Sequence, residues 1–187
     1  MRSLTQFIVR PKDSRRYNNT KDIGGIEFIT STSEEDHTYS NRFAQVVSTP
    51  ILYDGQIQKG DTLVVHHNVF KFYNDMKGRR KSGKSYFMND LFLVDMDQFY
   101  LYGKEGDWKA HDRFCFVEPL PVEDSYIYKP ISNEPLMGKM VYPNEYLVSK
   151  GVSTGTKVSY KPESEYEFEI DGKKLYRIYD HQITLSL

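Results

Sequence analysis

The 187 residues carry 25 Lys and Arg against 26 Asp and Glu, a formal net charge of -1, which argues against a dedicated nucleic-acid binder, whose affinity comes from a cationic excess. A chain of this length buries roughly 70% of its unfolded surface, enough for one medium or two small domains without a metal or disulfide staple, and its single cysteine, Cys115, cannot form an internal disulfide. No run approaches the ~18 apolar residues of a membrane span, and Phe7-Ile8-Val9 before Arg10-Pro11 is too short for a secretory core, so a soluble cytoplasmic protein is expected.

The 15 Tyr and 11 Phe favour an all-β class. Strands are expected over residues 6–10 and, beyond a polar stretch at 13–41, over 43–47, 62–67, 69–73, 86–94 and 99–102. A second series is expected over 114–118, 138–142, 157–160, 166–170, 174–179 and 183–185. No window sustains a 3.6-residue period over ten or more residues, and short strands between Gly, Pro, Asn and Asp are the pattern of barrels or sandwiches.

The two series resemble each other. Phe7-Ile8-Val9-Arg10-Pro11 is similar to Phe114-Cys115-Phe116-Val117-Glu118-Pro119, and Ile57-Gln58-Lys59-Gly60-Asp61-Thr62-Leu63 to Val152-Ser153-Thr154-Gly155-Thr156-Lys157-Val158. Residues 91–101 align with 175–185, with Gln98 on Gln182. Matching Gly60 to Gly155 needs a shift of 95 and matching Gln98 to Gln182 one of 84, so 11 extra residues in the first copy are expected around 75–85. A duplicated unit follows. Its boundary is expected within the polar stretch 103–112, which holds Trp108, giving domains 1–108 and 109–187.

Residues 13–41 are the most informative. They are polar except for Ile23, Ile26, Phe28 and Ile29 around Gly24-Gly25. Long connections in compact domains are usually functional or disordered, and a polar chain buries too little surface to offset its ordering entropy until something receives its apolar centre. Gly24-Gly25 permits a reversal with positive φ, presenting Ile26 and Phe28 on one side of an extended segment. The plainer expectation is a hairpin whose Ile26 and Phe28 pack on their own domain.

Asn19-Thr20-Lys21-Asp22-Ile23-Gly24-Gly25-Ile26-Glu27-Phe28 resembles the mobile loop of GroES-type co-chaperonins. Ile57-Gln58-Lys59-Gly60-Asp61-Thr62-Leu63-Val64 resembles that family's Gly-Asp strand start, and Asp112-Arg113-Phe114 its opening strand. The resemblance implies two tandem GroES-like small β-barrels, the first with a docking loop at 13–41 and the second without one. It implies a homo-oligomeric ring that caps a GroEL-type chaperonin through Ile23, Gly24, Gly25, Ile26, Phe28 and Ile29, and assists folding driven by the chaperonin's own ATP hydrolysis. No catalytic, cofactor-binding or metal-binding residue is implied, and no enzymatic activity. Glu27 departs from the family's continuous apolar tripeptide after Gly-Gly, and the roof hairpin is expected to shrink to a turn at Asp54-Gly55.

Gly78-Arg79-Arg80-Lys81-Ser82-Gly83-Lys84-Ser85 matches the phosphate-binding pattern G-x-x-x-x-G-K-[ST], but that pattern needs a helix after it, and the following residues read as strand. A solvated basic hairpin tip is the expectation. Its Lys and Arg at 77–84, flanked by Tyr73, Tyr86 and Phe87, make single-stranded nucleic-acid binding on a small barrel the alternative function. His66 and His67, adjacent on an expected strand, should point to opposite faces and share no ion. Cys115 reads as a buried small side chain rather than a nucleophile.

Overall fold

The computed structural model describes residues 1–18, 20–29, 39–121 and 133–187; for 20–23, 26–29, 121 and 133–135 it describes the backbone alone. The protein is all-β, built from antiparallel sheets, and divides into two compact units, Met1–Gly103 and Lys104–Leu187. Among the described residues no helix is long and apolar enough to cross a membrane.

In the first unit the strands are β1 (Phe7–Pro11), β2 (Thr20–Ile23), β3 (Ile26–Ile29), β4 (Phe43–Ser48), β5 (Thr62–Val65), β6 (Phe72–Asn74), β7 (Arg80–Ser82), β8 (Tyr86–Met88), β9 (Leu91–Val94) and β10 (Phe99–Lys104). Six of them share a sheet in the order β10-β5-β4-β1-β9-β8, while β2-β3 and β6-β7 are separate two-stranded hairpins. Phe7, Val9, Val46, Leu63, Phe92 and Phe99 belong to one buried cluster, with Phe7 edge-on to Phe99 at 5.5 Å. These positions alternate along their strands, as a sheet with one covered face requires.

The second unit comprises β11 (Asp107–Ala110), β12 (Phe114–Pro121), β13 (Asn133–Tyr142), α1 (Glu145–Ser149), β14 (Lys157–Tyr160), β15 (Tyr166–Ile170), β16 (Lys173–Tyr179) and β17 (Ile183–Ser186). Its sheet runs β17-β14-β13-β12-β16-β15. Taken by chain position, that is the strand order of the first unit repeated. Registers repeat as well: Phe7 stands opposite Val94 as Cys115 stands opposite Ile178, and Val9 opposite Val46 as Val117 opposite Met140. The turn before β5 recurs before β14, with Gly60 donating to the Val46 carbonyl at 2.9 Å and Gly155 to the Met140 carbonyl at 2.7 Å. Both glycines have a φ of +95°.

Two insertions distinguish the first unit. Residues 66–85 carry the β6-β7 hairpin where residues 161–165 suffice in the second, and residues 12–42 carry the β2-β3 hairpin. Two of the expected strands need correction. The strand expected over 86–94 is two strands, β8 and β9, because Asn89 and Asp90 both take positive φ (48° and 55°) and reverse the chain. Val69 and Phe70, expected as strand, are fully buried turn residues that plug the core ahead of β6. Residues 49–61 contain no strand; there the Tyr53 hydroxyl accepts from the Ile57 N–H at 3.2 Å, and the Tyr53 ring occupies the space a Cβ on Gly55 would need.

Candidate functional site

The connection from β1 to β4 is a built arm. It opens with a 3-10 turn over Lys12–Ser14, in which Asp13 and Ser14 hold positive φ of 59° and 55°. Asn41, almost wholly buried, fastens this turn to the start of β4. Its Nδ2 donates to the carbonyls of Lys12 and Arg15 at 2.9 and 2.6 Å, and its Oδ1 accepts from the Phe43 N–H at 2.9 Å. One side chain thereby satisfies three backbone groups that no ladder reaches, as buried polar groups require.

Beyond that clamp the two sides of the arm pair. Asn41 N–H donates to the Arg16 carbonyl at 2.9 Å and Asn18 N–H to the Tyr39 carbonyl at 2.8 Å, bracketing a Tyr17–Ser40 bridge. Farther out, β2 and β3 pair Thr20 with Ile29, Lys21 with Phe28, Asp22 with Glu27 and Ile23 with Ile26. The turn is Gly24-Gly25, exposed, with φ of +66° and +83°. Positive φ at both central residues is the two-residue hairpin turn whose twist matches its flanking strands, and glycine adopts it without a Cβ penalty. No atom outside the turn lies within 4 Å of where either Cβ would be.

The sequence-expected docking residues therefore gather on one hairpin: Ile23 and Ile26 are paired in register across the turn, with Phe28 and Ile29 on the same strand as Ile26. The packing of Ile26 and Phe28 on their own domain, the plainer expectation, falls outside the described residues, as do 30–38 of the expected loop. Sequence reasoning missed Arg16, Tyr17 and Asn41, which build the root. Their partners lie far along the chain, and nothing local marks them.

The phosphate-binding pattern fails in space. Its residues 80–82 form β7 and the next element is the strand β8, so no helix N-terminus meets the loop and no cradle of the required kind exists. Its tip is instead organised by Asp75. The Asp75 carboxylate accepts from the N–H groups of Lys77 and Arg79 at 2.9 Å each, and pairs with the Arg79 and Lys81 side chains at 3.1 and 3.5 Å. The Arg79 N–H above all, against a smaller opposing effect of burial, holds this carboxyl below its usual range.

His66 and His67 depart from expectation. β5 ends at Val65, so strand alternation no longer applies and the two rings lie 4.1 Å apart. Among the described residues no three His, Cys, Asp or Glu side chains gather as a metal site. Cys115 is fully buried, its Sγ 3.4 Å from the Ile178 carbonyl. Burial pushes its thiol up to about 12, where little thiolate exists at neutral pH.

The chain matches no protein-family model and no curated protein.

Proposed function

We propose that this protein is a co-chaperonin of the GroES type: two tandem small β-barrels, the first bearing a docking arm, assembled in a homo-oligomeric ring that caps a GroEL-type chaperonin. The observation that carries the reading is the arm. An apolar group of Ile23, Ile26, Phe28 and Ile29 sits about a double-glycine turn on a hairpin outside both of the large sheets, in a segment that resembles the family's mobile loop. The repeated strand order supports two equivalent domains, and the arm supplies what distinguishes them.

On this reading the work is binding, not chemistry. The arm's apolar residues enter a groove of the chaperonin's apical domain. A single arm binds weakly because docking costs ordering entropy, and several arms on one ring raise the effective concentration so that the lid is firm yet releasable. The chaperonin supplies the ATPase, and the co-chaperonin acts in the cytoplasm. The test is the double variant Ile26→Ser with Phe28→Ser. It should keep both units folded, by circular dichroism, and abolish capping of the chaperonin; capping at the wild-type level would remove these residues from the site.

One observation favours a second reading, single-stranded nucleic-acid binding at the β6-β7 hairpin. Lys71, Lys77 and Lys84 make no ion pair among the described residues, and Tyr73 is 51% exposed. A groove of about 620 Å³ is lined by Lys71, Tyr73, Lys84 and Ser85 among others. Cations beside an exposed ring suit a phosphate backbone and a stacked base. A labelled oligonucleotide should then bind with steep salt dependence, and loss of binding on Tyr73→Ala would separate stacking from simple charge attraction.

A further inference from the structure

The two insertions that distinguish the first unit from the second touch each other, and they do so through the root of the arm. Arg16, next to the first rung of the arm's ladder, sends its guanidinium away from the arm and onto the β6-β7 hairpin and its neighbours. The guanidinium carbon lies 4.2 Å from the ring centre of Phe72, 4.8 Å from Phe92 and 5.0 Å from Tyr86. Nη1 donates to Ser82 Oγ at 2.9 Å and Nη2 to Asp90 at 2.9 Å, and the Arg16 side chain is only 12% exposed. Tyr17 completes the junction. Its ring stacks on Phe72 with 15° between planes, and its hydroxyl accepts from the Phe72 N–H at 2.9 Å. Arg80 lies 3.7 Å from the centre of the same Phe72 ring.

A buried guanidinium is costly unless its N–H groups and its flat faces are occupied. Here rings from β6, β8 and β9 line the faces, and Ser82 of β7 and Asp90 of the Asn89-Asp90 turn each accept from one nitrogen. No local rule of strand formation demands this. In the second unit, residues 161–165 join the corresponding strands with no hairpin at all, so the six-stranded sheet is complete without it. The hairpin's Phe72 and Ser82 instead spend their contacts on residues 16 and 17, whose backbones begin the arm.

We propose that the β6-β7 hairpin is the anchor of the docking arm, and that Arg16 is a positioning residue for chaperonin docking. The anchor fixes the direction in which the arm leaves the sheet, so that the segment carrying Gly24-Gly25 starts from one orientation. Preorganising a binding segment raises affinity by removing part of the ordering cost. Arginine rather than lysine is required, because only a planar fork can stack between rings while bonding to Ser82 and Asp90. The proposal's consequence for docking rests on the co-chaperonin reading; the anchoring itself does not.

The experiment pairs a distance with an affinity. Spin labels at Thr20→Cys and Lys59→Cys report the first residue of β2 against the sheet, and Cys115, being buried, takes no label. Wild type should give one narrow distance distribution. Arg16→Ala should broaden it and weaken chaperonin docking by roughly tenfold, with Arg16→Lys recovering little of either. Should Arg16→Ala lose the fold, Asp90→Asn serves in its place, since Asn tolerates the same positive φ and breaks the ion pair without touching the core; its effects should be in the same direction and smaller. An unchanged distance distribution in both variants overturns the anchor. A broadened distribution with unaltered docking overturns Arg16 as a positioning residue. If wild type itself never docks, the co-chaperonin reading falls, and the distance distributions still decide the anchor.

Discussion

Gln98 and Gln182 hold the same place in the two units. Gln98 Oε1 accepts from the Asp95 N–H at 3.0 Å, and Gln182 Oε1 accepts from the Tyr179 N–H at 3.0 Å. Each glutamine's own carbonyl then accepts from the chain leaving the opposite strand, from His66 at 2.8 Å and from Lys161 at 3.0 Å. The residue closes the turn between the last two sheet strands of each copy. Gln98→Ala and Gln182→Ala should each cost about 0.5–1.5 kcal/mol, and the two should add, since they share no partner. Amide exchange gives the sharper reading: protection at Asp95 falls in the first variant alone, and protection at Tyr179 in the second alone.

The Gly24-Gly25 turn should tolerate substitution according to φ rather than space. No atom crowds either position, so the cost of Gly24→Ala or Gly25→Ala is the left-handed backbone, about 1 kcal/mol each. In docking affinity that is roughly a fivefold loss per residue. Gly24→Asn should cost markedly less, because Asn-Gly suits this turn. Titrating the chaperonin with each variant checks the order.

Glu27 stands opposite Asp22 in the β2-β3 register. Like charges directly across a pair of strands destabilise it by roughly 0.2–1 kcal/mol. Glu27→Thr should therefore strengthen the hairpin and tighten docking a few-fold, an effect that high salt should diminish. Weaker docking by that variant would mean that Glu27 itself meets the partner.

Much of the fold was legible because it repeats. Gly60 with Gly155 and Gln98 with Gln182 aligned in sequence occupy equivalent turns, and the surplus expected around 75–85 falls on the β6-β7 hairpin. Other features were hidden for physical reasons. Asn89-Asp90 interrupts an otherwise apolar and aromatic run, and only the fold reveals that both residues adopt positive φ. Val69 and Phe70 are as apolar as any strand residue, yet they fill the core from a turn, where hydrophobicity carries no periodicity. Helix α1, capped by Asn144 accepting from the Leu147 N–H at 2.8 Å, is shorter than any window in which a 3.6 period can be recognised. Of the candidate site, the double glycine was legible because its backbone conformation demands that residue. The root was not, because Arg16 and Asn41 look like ordinary loop residues until their distant partners are brought to them.

Asp180 should make the second unit sensitive to acid. Its side chain is 2% exposed and receives Arg113 Nη2 at 2.8 Å and Asn144 Nδ2 at 3.2 Å. Burial alone would push this carboxyl up. Hydrogen bonds from Arg113 and Asn144, the Arg113 charge and the His181 N–H outweigh it and hold the carboxyl below its usual range. A carboxyl lowered on folding stabilises the protein above its unfolded pKa, and the contribution is lost as the pH falls through the folded value. Asp180→Asn should thus cost about 1–3 kcal/mol at neutral pH. The gap to wild type should close as the pH drops below about 4, because the amide resembles the protonated acid. Denaturation at a series of pH values reads this directly, and a gap independent of pH would deny Asp180 its charge.

The most direct test of the central claim is the native mass of the purified protein by light scattering, alone and then with a GroEL-type chaperonin in the presence and absence of ATP. The account predicts a ring of several subunits that joins the chaperonin only when nucleotide is present. A monomer that ignores the chaperonin with or without ATP would contradict it.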